Sequence, residues 1–392
     1  MARLWRVLVL AALESFATVL IERGIYFYTH DRFAFEEGEN LLLAFGFGAA
    51  YVAGALASHR LALHLRERPL LVGVLLAQLA VHGALAARPV VAVVVAGTVV
   101  LGLLNGLKWP VIESYVGAGR TPARAARAVG GFNLSWSAVV LPALAAAGPV
   151  IAWRAPALFV LAAGINVAGL VLAWPLPHQP VHLAADHPEQ PAPEARRRLG
   201  ALLVSSRWSL LASYSQMWVL AALMPAIFAR LSFEVGAATA LSGILDLVRF
   251  ASFAALGVWG GWHFRRLPLI LVIGGLPLGF FMVLFGGDLA AVLAGEVVFG
   301  AAAGMTYYAA LYYAMIVKNA SVGAGSGHEG LIGAGFALGP AAGLLGRALT
   351  PIIGSSDLGM LGGLGLLVAV CAIGAVASLA RMGRAAPQAG LP

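Results

Sequence analysis

Apolar segments of about twenty residues follow one another with little interruption from Leu4 to Leu379. Hydrophobic residues make up 61% of the chain and charged residues 11%. A water-soluble protein could not bury so much apolar surface. A bilayer accepts it, because its hydrocarbon layer of ~30 Å is spanned by helices of ~20 apolar residues. The pattern therefore predicts an all-α membrane protein that crosses the bilayer many times.

The apolar segments predict twelve spans, six on each side of a single polar stretch. The predicted spans are 5–28, 40–60, 69–87, 90–116, 128–150, 154–174, 207–230, 236–260, 267–286, 289–317, 329–351 and 358–380. The predicted divisions are a six-helix bundle over 1–174, a cytoplasmic linker over 175–206, a second six-helix bundle over 207–384 and a disordered tail over 385–392. A transmembrane barrel is excluded, because it would show alternating strands of ~10 residues.

The net charge of +8 indicates the orientation of the chain and requires no nucleic-acid partner. Most of the 25 Lys and Arg residues fall in segments on the side of the N-terminus, and this excess marks the cytoplasmic side. Glu14 interrupts the apolar run that a signal peptide would need, so we predict a retained first helix. These patterns predict a protein of the cytoplasmic (inner) membrane with both termini in the cytoplasm.

No pattern in the sequence predicts a cofactor or a metal site. Cys371 is the single cysteine, which excludes a cysteine-based metal site. His178, His182 and His187 are loosely spaced in the polar stretch, and we favour a solvated linker over a metal site there. The segment at His328 lacks the second histidine of a zinc-protease motif, and no phosphate-binding loop is present.

The two halves of the chain are weakly similar at an offset of 198 residues. The offset relates Gly102 to Gly300, Gly106 to Gly304, Tyr115 to Tyr313 and Pro142 to Pro340. Duplicated halves are typical of secondary transporters, in which the substrate site lies between the repeats near the middle of the membrane.

The chain resembles the major facilitator superfamily in its twelve spans, its six-plus-six division and its basic central segment. The segment Lys108–Pro142 is similar to the fourth-to-fifth helix region of bacterial members, and Gly335–Gly343 resembles the family's GxxxGPxxG pattern. The resemblance implies two six-helix bundles with pseudo-twofold symmetry. It also implies that the first, fourth, seventh and tenth helices line a central cavity.

The family's loop signature is only partly preserved. Ser58 replaces its acidic residue after the second helix, and Gly261 stands at that position in the second half. The gating contacts of the family are therefore in doubt here. The residues that the resemblance assigns to gating or to these loops are Gly54, Arg60, Gly257, Arg265, Arg266, Gly339 and Pro340.

Polar and aromatic residues concentrate on the helices that the resemblance places around the cavity. Ionisable side chains within a membrane are costly and usually face the interior of the bundle. The predicted substrate-binding residues are Glu14, Glu22, Asn105, Lys108, Trp109, Glu113, Asn133, Gln216, Trp218, Tyr307, Tyr308 and Tyr312. Of these, Glu14 and Glu113 are the candidate proton carriers.

Structural roles are the alternative for several of these residues. Glu22 can form an interfacial pair with Arg23, Lys108 can snorkel or pair with a carboxylate, and the aromatic residues can pack or form a belt. Asp246 and Arg249 are three residues apart on one predicted helix, which favours a structural ion pair.

We predict a secondary active transporter that moves a small organic solute by alternating access, with protons as the candidate coupling ion. Its predicted partners are this solute and the lipid bilayer, it acts as a monomer, and it is not an enzyme. An enzyme acting on lipid-linked substrates is disfavoured, because the short connections hold no gathered catalytic groups. A non-transporting sensor or scaffold with a transporter fold is the alternative, since the loop signature is poorly preserved.

Overall fold

The protein is described here by a computed structural model that covers residues 4–117, 119–120, 122–180, 193–318 and 322–382. Every regular element within these residues is helical. The spans, numbered in chain order, are Leu4–Glu22 with Gly24–Phe33 (span 1), Glu37–Leu65 (span 2), Glu67–Ala87 (span 3), Val91–Gly117 (span 4), Pro122–Ser137 with Val140–Arg154 (span 5), Ala157–Ala173 (span 6), Pro193–Arg230 (span 7), Val235–Leu241 with Ile244–Val258 (span 8), Leu267–Phe285 (span 9), Leu289–Lys318 (span 10), Val322–Ala348 (span 11) and Ser356–Met382 (span 12).

Length and composition confirm that the chain can cross a membrane many times. Within the described residues, 11 of these helical stretches are long and apolar enough to span a bilayer, and span 6 is apolar but shorter. Two short helices, Gly260–Trp262 and Thr350–Ile353, lie in connections. The prediction of an all-α membrane protein built from two six-helix bundles is confirmed.

Spans 1–6 pack into a first bundle and spans 7–12 into a second. The bundles meet mainly where span 2 lies against span 11 and where span 5 lies against span 8. With twelve spans, both ends of the described chain lie on one side, which we call the terminal side. On the other side, the Arg347 guanidinium lies 2.5 Å from the Glu37 carboxylate and joins the two bundles.

Two glycines separated by the offset of 198 occupy equivalent helix crossings. Gly102 of span 4 lies so close to span 2 that an added Cβ would meet the carbonyl oxygen of Phe47. A Cβ added at Gly300 of span 10 would likewise meet the carbonyl oxygen of Leu245 of span 8. Phe47 and Leu245 are themselves separated by the same offset, so the two crossings correspond residue by residue.

The next pair of glycines repeats this relation one turn further along the helices. Gly106 faces the backbone carbonyl of Tyr51, and Gly304 faces the backbone carbonyl of Arg249. Tyr51 and Arg249 are also 198 residues apart. Small residues at such crossings let helices approach closely. These contacts support the predicted repeat and place a tyrosine and an arginine at equivalent positions.

Span 7 begins earlier than predicted. The linker prediction covers 175–206, but the helix already begins at Pro193, a residue that is favourable at the first helical position. Leu199, Leu202 and Leu203 are buried, and this helical spacing extends the apolar stripe beyond the predicted start at 207. The predicted tail over 385–392 lies outside the described residues, as do His182 and His187.

In the loops that correspond to the partly preserved signature, hydrogen bonds without an acidic residue hold the neighbouring segments together. On the terminal side of the first bundle, Arg66 donates to Gln179 at 2.7 Å. In the same region Tyr115 Oη donates to the carbonyl oxygen of Pro177 at 2.8 Å. The equivalent Tyr313 accepts a hydrogen bond from the backbone N–H of Phe264 at 3.3 Å. Two tyrosines related by the repeat thus anchor the segments beside them.

We expect Gly106→Ala to destabilise the protein by about 1–3 kcal/mol, because the added methyl group overpacks the crossing of spans 2 and 4. Thermal unfolding in detergent measures this loss. Gly164→Ala on span 6 is the matched control, since no atom lies within 4 Å of its added Cβ. Equal melting temperatures for the two variants would contradict the close crossing.

Candidate functional site

A cavity of about 90 Å³ lies between the two bundles. Its charged lining residues come from both halves of the chain, and eight aromatic rings complete much of the wall. The charged residues are Glu22, Arg23, Glu113, Asp246, Arg249 and Glu329. The aromatic residues are Tyr51, Trp109, Phe132, Trp136, Tyr214, Trp218, Tyr307 and Phe336. A concave site whose aromatic walls surround converging charged groups is typical of small-molecule binding.

One part of the cavity, which we call the acidic end, is formed by Tyr51, Glu113 and Glu329, with His328 beside them. Tyr51 Oη donates a hydrogen bond to Glu329 Oε2, and both side chains are buried. Glu113 on span 4 and His328 and Glu329 on span 11 have potential ligand atoms within 4.8 Å of one another. The acidic end therefore joins span 4 of the first bundle to span 11 of the second.

The acidic end lacks the donors that two buried carboxylates would need. Neither oxygen of Glu113 has a hydrogen-bond partner among the described residues, and neither ring nitrogen of His328 has one. Two ionised carboxylates that are buried this close together would repel each other strongly. A proton shared between them would remove the repulsion and stabilise the pair. Two carboxylates and an imidazole can also ligate a divalent transition ion, although no metal site was predicted.

A second part of the cavity, the basic end, is formed by Arg23, Asp246 and Arg249. Arg23 Nη1 on span 1 lies 2.9 Å from Asp246 Oδ2 on span 8, so this ion pair crosses between the bundles. Arg249 Nη1 lies 3.3 Å from Asp246 Oδ1, which is the pairing that the spacing of three predicts. One carboxylate thus serves two guanidinium groups, and all three side chains are buried.

Arg249 also lies within a box of four aromatic rings. Its guanidinium carbon is 4.6 Å from the ring centroid of Trp136 and 5.4 Å from that of Tyr307. The rings of Tyr214 and Phe253 are each 5.7 Å away. Cation–π attraction is strongest where the cation is desolvated, so the box holds the guanidinium in place.

Glu14 lies outside the cavity, in a buried polar network within the first bundle. Lys108 Nζ lies 2.9 Å from Glu14 Oε2 and donates to Thr18 Oγ1 at 3.0 Å. Asn166 Nδ2 donates to both oxygens of Glu14 at 3.2 and 3.4 Å. The side chains of Glu14 and Lys108 are 0% and 1% exposed, so the pair is sealed from water.

The network extends from Glu14 to the wall of the cavity. Gln78 Nε2 donates to Asn105 Oδ1 at 2.7 Å, and Asn105 Nδ2 donates to Glu22 at 3.4 Å. Glu22 lines the cavity, whereas Asn105 does not. Asn105 and Lys108 were predicted to contact substrate, but their hydrogen bonds are made within the first bundle.

Five of the twelve predicted substrate-binding residues line the cavity, namely Glu22, Trp109, Glu113, Trp218 and Tyr307. The other seven do not, namely Glu14, Asn105, Lys108, Asn133, Gln216, Tyr308 and Tyr312. The structure places these seven residues behind the wall of the cavity, and the contact of Lys108 with a carboxylate is the structural alternative that the sequence offered.

Gln216 and Asn133 face the interiors of their own bundles. Gln216 Nε2 donates to the carbonyl oxygen of Ala212 at 3.1 Å, and its side chain borders a small void that Cys371 and Pro277 also line. Asn133 is fully buried and accepts a hydrogen bond from Trp136 Nε1 at 3.4 Å.

Tyr308 and Tyr312 belong to an aromatic cluster that anchors the connection between spans 8 and 9. Trp262 is fully buried in this connection, with its ring 5.6 Å from Tyr308 and 5.2 Å from Tyr312. The His263 ring stacks on Tyr312 at 4.6 Å. Partial burial lowers the pKa of His263 and so favours the neutral form of the stacked ring.

The residues predicted for gating are placed apart from one another. Gly54 meets the backbone of Leu103 at the crossing of spans 2 and 4, and Gly339 meets the backbone of Ser215 within the second bundle. Their closest contacts are within a bundle. The others lie at the loops or inside span 11: Arg60 and Arg265 are exposed, Arg266 is half-buried, Gly257 lies near the hydroxyl of Tyr308, and Pro340 lies inside the helix.

Glu329 is the most consequential residue that sequence reasoning missed. Its segment was compared only with a zinc-protease motif, although a glutamate in a glycine-rich apolar helix is itself a signal of function. Arg23 was considered only as a partner for Glu22, but it pairs with Asp246 across the interface. Tyr51 gave no signal that would separate it from a packing residue.

The sequence matches no protein-family model and no curated protein. The fold is similar to that of a mutant of the nucleoside transporter NupG, with a TM-score of 0.69 and 12% identity over 96% of this chain and 99% of that chain. It is also similar to the human organic anion transporter MFSD10 (TETRAN), with a TM-score of 0.66 and 14% identity over 95% of this chain and 98% of that chain.

We expect Lys108→Met to destabilise the protein by about 3–5 kcal/mol, because it leaves the buried Glu14 carboxylate unpaired. Adding Glu14→Gln to this variant should restore much of the loss. Glu37→Gln is the control, since the pair with Arg347 is partly exposed and contributes about 1 kcal/mol or less. Thermal melting in detergent measures all of these variants, and a Lys108→Met protein as stable as wild type would refute the structural pairing.

Proposed function

Because the chain has the fold of the major facilitator superfamily, we propose that it is a proton-coupled secondary transporter of a small organic solute. The chain is a multi-pass membrane protein, and the distribution of Lys and Arg supports an inner-membrane orientation with both termini in the cytoplasm. The cavity between the bundles is the substrate site, and rocking of the bundles exposes it to each side in turn. The transporter acts as a monomer without a cofactor and is not an enzyme.

The observation that carries the proposal is the meeting of Glu113 and Glu329 from opposite bundles. A proton shared by the two carboxyls removes their repulsion and favours the conformation in which spans 4 and 11 are close. Loss of that proton leaves two like charges and favours separation of the bundles. Protonation and bundle geometry are then thermodynamically linked, which is what coupling requires.

Glu113 is one of the two residues predicted to carry the proton, and its place in the cavity wall favours it over Glu14. Lys108 and Asn166 occupy the oxygens of Glu14, so we assign Glu14 a structural role. Glu329 joins Glu113 as the second carrier.

Aromatic rings in the cavity favour a solute that contains a ring. Trp218 stacks on Phe336 with ring centroids 3.5 Å apart, and Tyr214 and Tyr307 continue the aromatic wall. Pockets that hold such ligands usually measure about 300–1,000 Å³. The cavity of about 90 Å³ must therefore widen when the solute enters, as separation of the bundles allows. A ring-bearing solute is also consistent with the similarity of the fold to a nucleoside transporter.

We expect Glu329→Gln and Glu113→Gln to lower solute-driven proton flux at least tenfold while downhill movement of the solute continues. Purified protein is reconstituted in liposomes that contain the pH dye pyranine, and benzoate, benzamide, benzylamine and uridine are added in turn. The signal of protein-free liposomes is subtracted, because neutral benzoic acid and benzylamine cross bilayers by themselves, and labelled solute measures solute movement in parallel. Glu296→Gln is the matched control, because Glu296 is equally buried but binds the backbone N–H of Leu245 outside the cavity.

Three outcomes separate the alternatives. Proton flux that appears with a solute and disappears in both glutamine variants supports coupling. Solute movement without proton movement in wild type refutes it and indicates a uniporter. Solutes that stabilise the protein but never cross the membrane would favour a non-transporting sensor or scaffold.

A further inference from the structure

We propose that the solute carries an anionic group which binds between Arg23 and Arg249, so that the substrates are small ring-bearing organic anions. This inference rests on the proposed function, since it names the substrate class of the same cavity. It is carried by the charge balance of the basic end and by the aromatic box beside it.

The basic end has more positive than negative charge. Asp246 is the only carboxylate within 4.0 Å of either guanidinium among the described residues, so two cations share one anion. Arg23 and Arg249 are 6% and 5% exposed, and Nε of Arg249 has no hydrogen-bond partner in the described part of the chain. An uncompensated buried charge is costly, and an anion in the cavity would remove this cost.

Glu22 does not supply the missing negative charge. Glu22 lies one helical turn after Thr18 on span 1. Its carboxylate accepts a hydrogen bond from Asn105 of the same bundle. No ion pair within 4.0 Å links it to Arg23. Glu22 and Glu296 act on Arg23 only through longer-range electrostatic attraction, so Asp246 is the single carboxylate in contact with the two guanidinium groups among the described residues.

Separation of the two bundles leaves a positive charge without a contacting carboxylate in the first bundle. Asp246 and Arg249 belong to the same helix and stay together, whereas Arg23 belongs to span 1 of the other bundle. Separation of span 1 from span 8 breaks the 2.9 Å contact and leaves Arg23 without a carboxylate. A carboxylate of the solute can replace it, and arginine binds carboxylates well because its fork donates two hydrogen bonds to them.

The box around Arg249 provides a place for the ring of the solute. Trp136 comes from the first bundle, and Tyr214, Phe253 and Tyr307 come from the second. A planar ring attached to the anionic group would pack against these side chains while its carboxylate contacts the guanidinium groups. Trp136 and Tyr307 contact each other at a centroid distance of 5.3 Å, so a ring enters between them only when the bundles separate.

The two ends of the cavity are related by the internal repeat. Tyr51 at the acidic end and Arg249 at the basic end are 198 residues apart and pack on equivalent glycines. Tyr51 holds Glu329, the proposed proton carrier, and Arg249 would hold the anion. A proton at one end and an anion at the other add no net charge to a buried cavity, so the two are favourable together.

Thermal shift of the purified protein at pH 7 tests the charge of the solute. The probes are benzoate, phenylacetate and nicotinate, each compared with its uncharged amide, and benzylamine as a cation. We expect the carboxylates to raise the melting temperature in a dose-dependent manner and the amides to have much smaller effects. Equal stabilisation by the amides, stronger stabilisation by benzylamine, or no stabilisation by any carboxylate would overturn the proposal.

Substitutions at the basic end test the position of the anion. We expect Arg249→Gln to weaken carboxylate binding at least tenfold and Arg23→Gln to weaken it in the same direction. Asp246→Asn should strengthen binding, because it removes the carboxylate that competes for both arginines. This gain cannot arise from simple damage to the fold. Unchanged or weaker binding to a folded Asp246→Asn protein would refute the site.

Two controls separate this inference from the proposed function. Arg347→Gln removes a cationic side chain that joins the bundles outside the cavity, and it should leave carboxylate binding unchanged. The second control is proton flux in wild type, measured with the carboxylates and with their uncharged amides. Carboxylate binding at Arg249 without proton flux in wild type would refute coupling only, whereas proton flux driven by uncharged solutes would refute the anion site only.

Discussion

The ion pair between Arg23 and Asp246 joins the two bundles through buried charges, and much of the site depends on it. A charge in the interior of a membrane protein must find a partner, because lipid offers none. At this interface the partner belongs to the other bundle, so charge pairing and bundle geometry cannot change independently. The carboxyl groups of Glu113 and Glu329 also meet across this interface, where two like charges would repel each other.

Charged groups away from the interface have a different role. Lys108 satisfies Glu14 within one bundle, and Asn166 and Thr18 complete the hydrogen bonds. No separation of the bundles is needed to make or break this pair. Burial alone therefore does not separate the two kinds of pair, since Glu14 is bonded within its bundle and Asp246 is bonded both within its bundle and across the interface.

The architecture could be predicted from the sequence because it depends on local apolar length. Twelve segments, their division and the repeat at Gly102 and Gly300 are all visible without a structure. The direction of individual side chains was harder to predict. Tyr307 lines the cavity, whereas Tyr308 packs beneath a loop. Consecutive residues of a helix point about 100° apart, so only one of two neighbours can face the cavity. A helix that is apolar on all sides gives no pattern from which its rotation about its own axis could be predicted.

Contacts between distant segments were the least predictable part of the site. The spacing of three between Asp246 and Arg249 predicts their pairing, but nothing local indicates that Arg23, 223 residues away, shares the same carboxylate. The pairing of Tyr51 with Glu329 spans 278 residues in the same way. Residues that contact each other across the interface are not separated by any fixed number of positions in the sequence. Only the packing of the two bundles brings them together.

The glycine crossings have a mechanical consequence for how the protein moves. Spans 2 and 4 are in close backbone contact at Gly106, and spans 8 and 10 are in close contact at Gly304. Tyr51 and Arg249 lie at these crossings, each within its own pair of packed spans. A rotation of such a pair about its crossing would move the crossing least and the helix ends most.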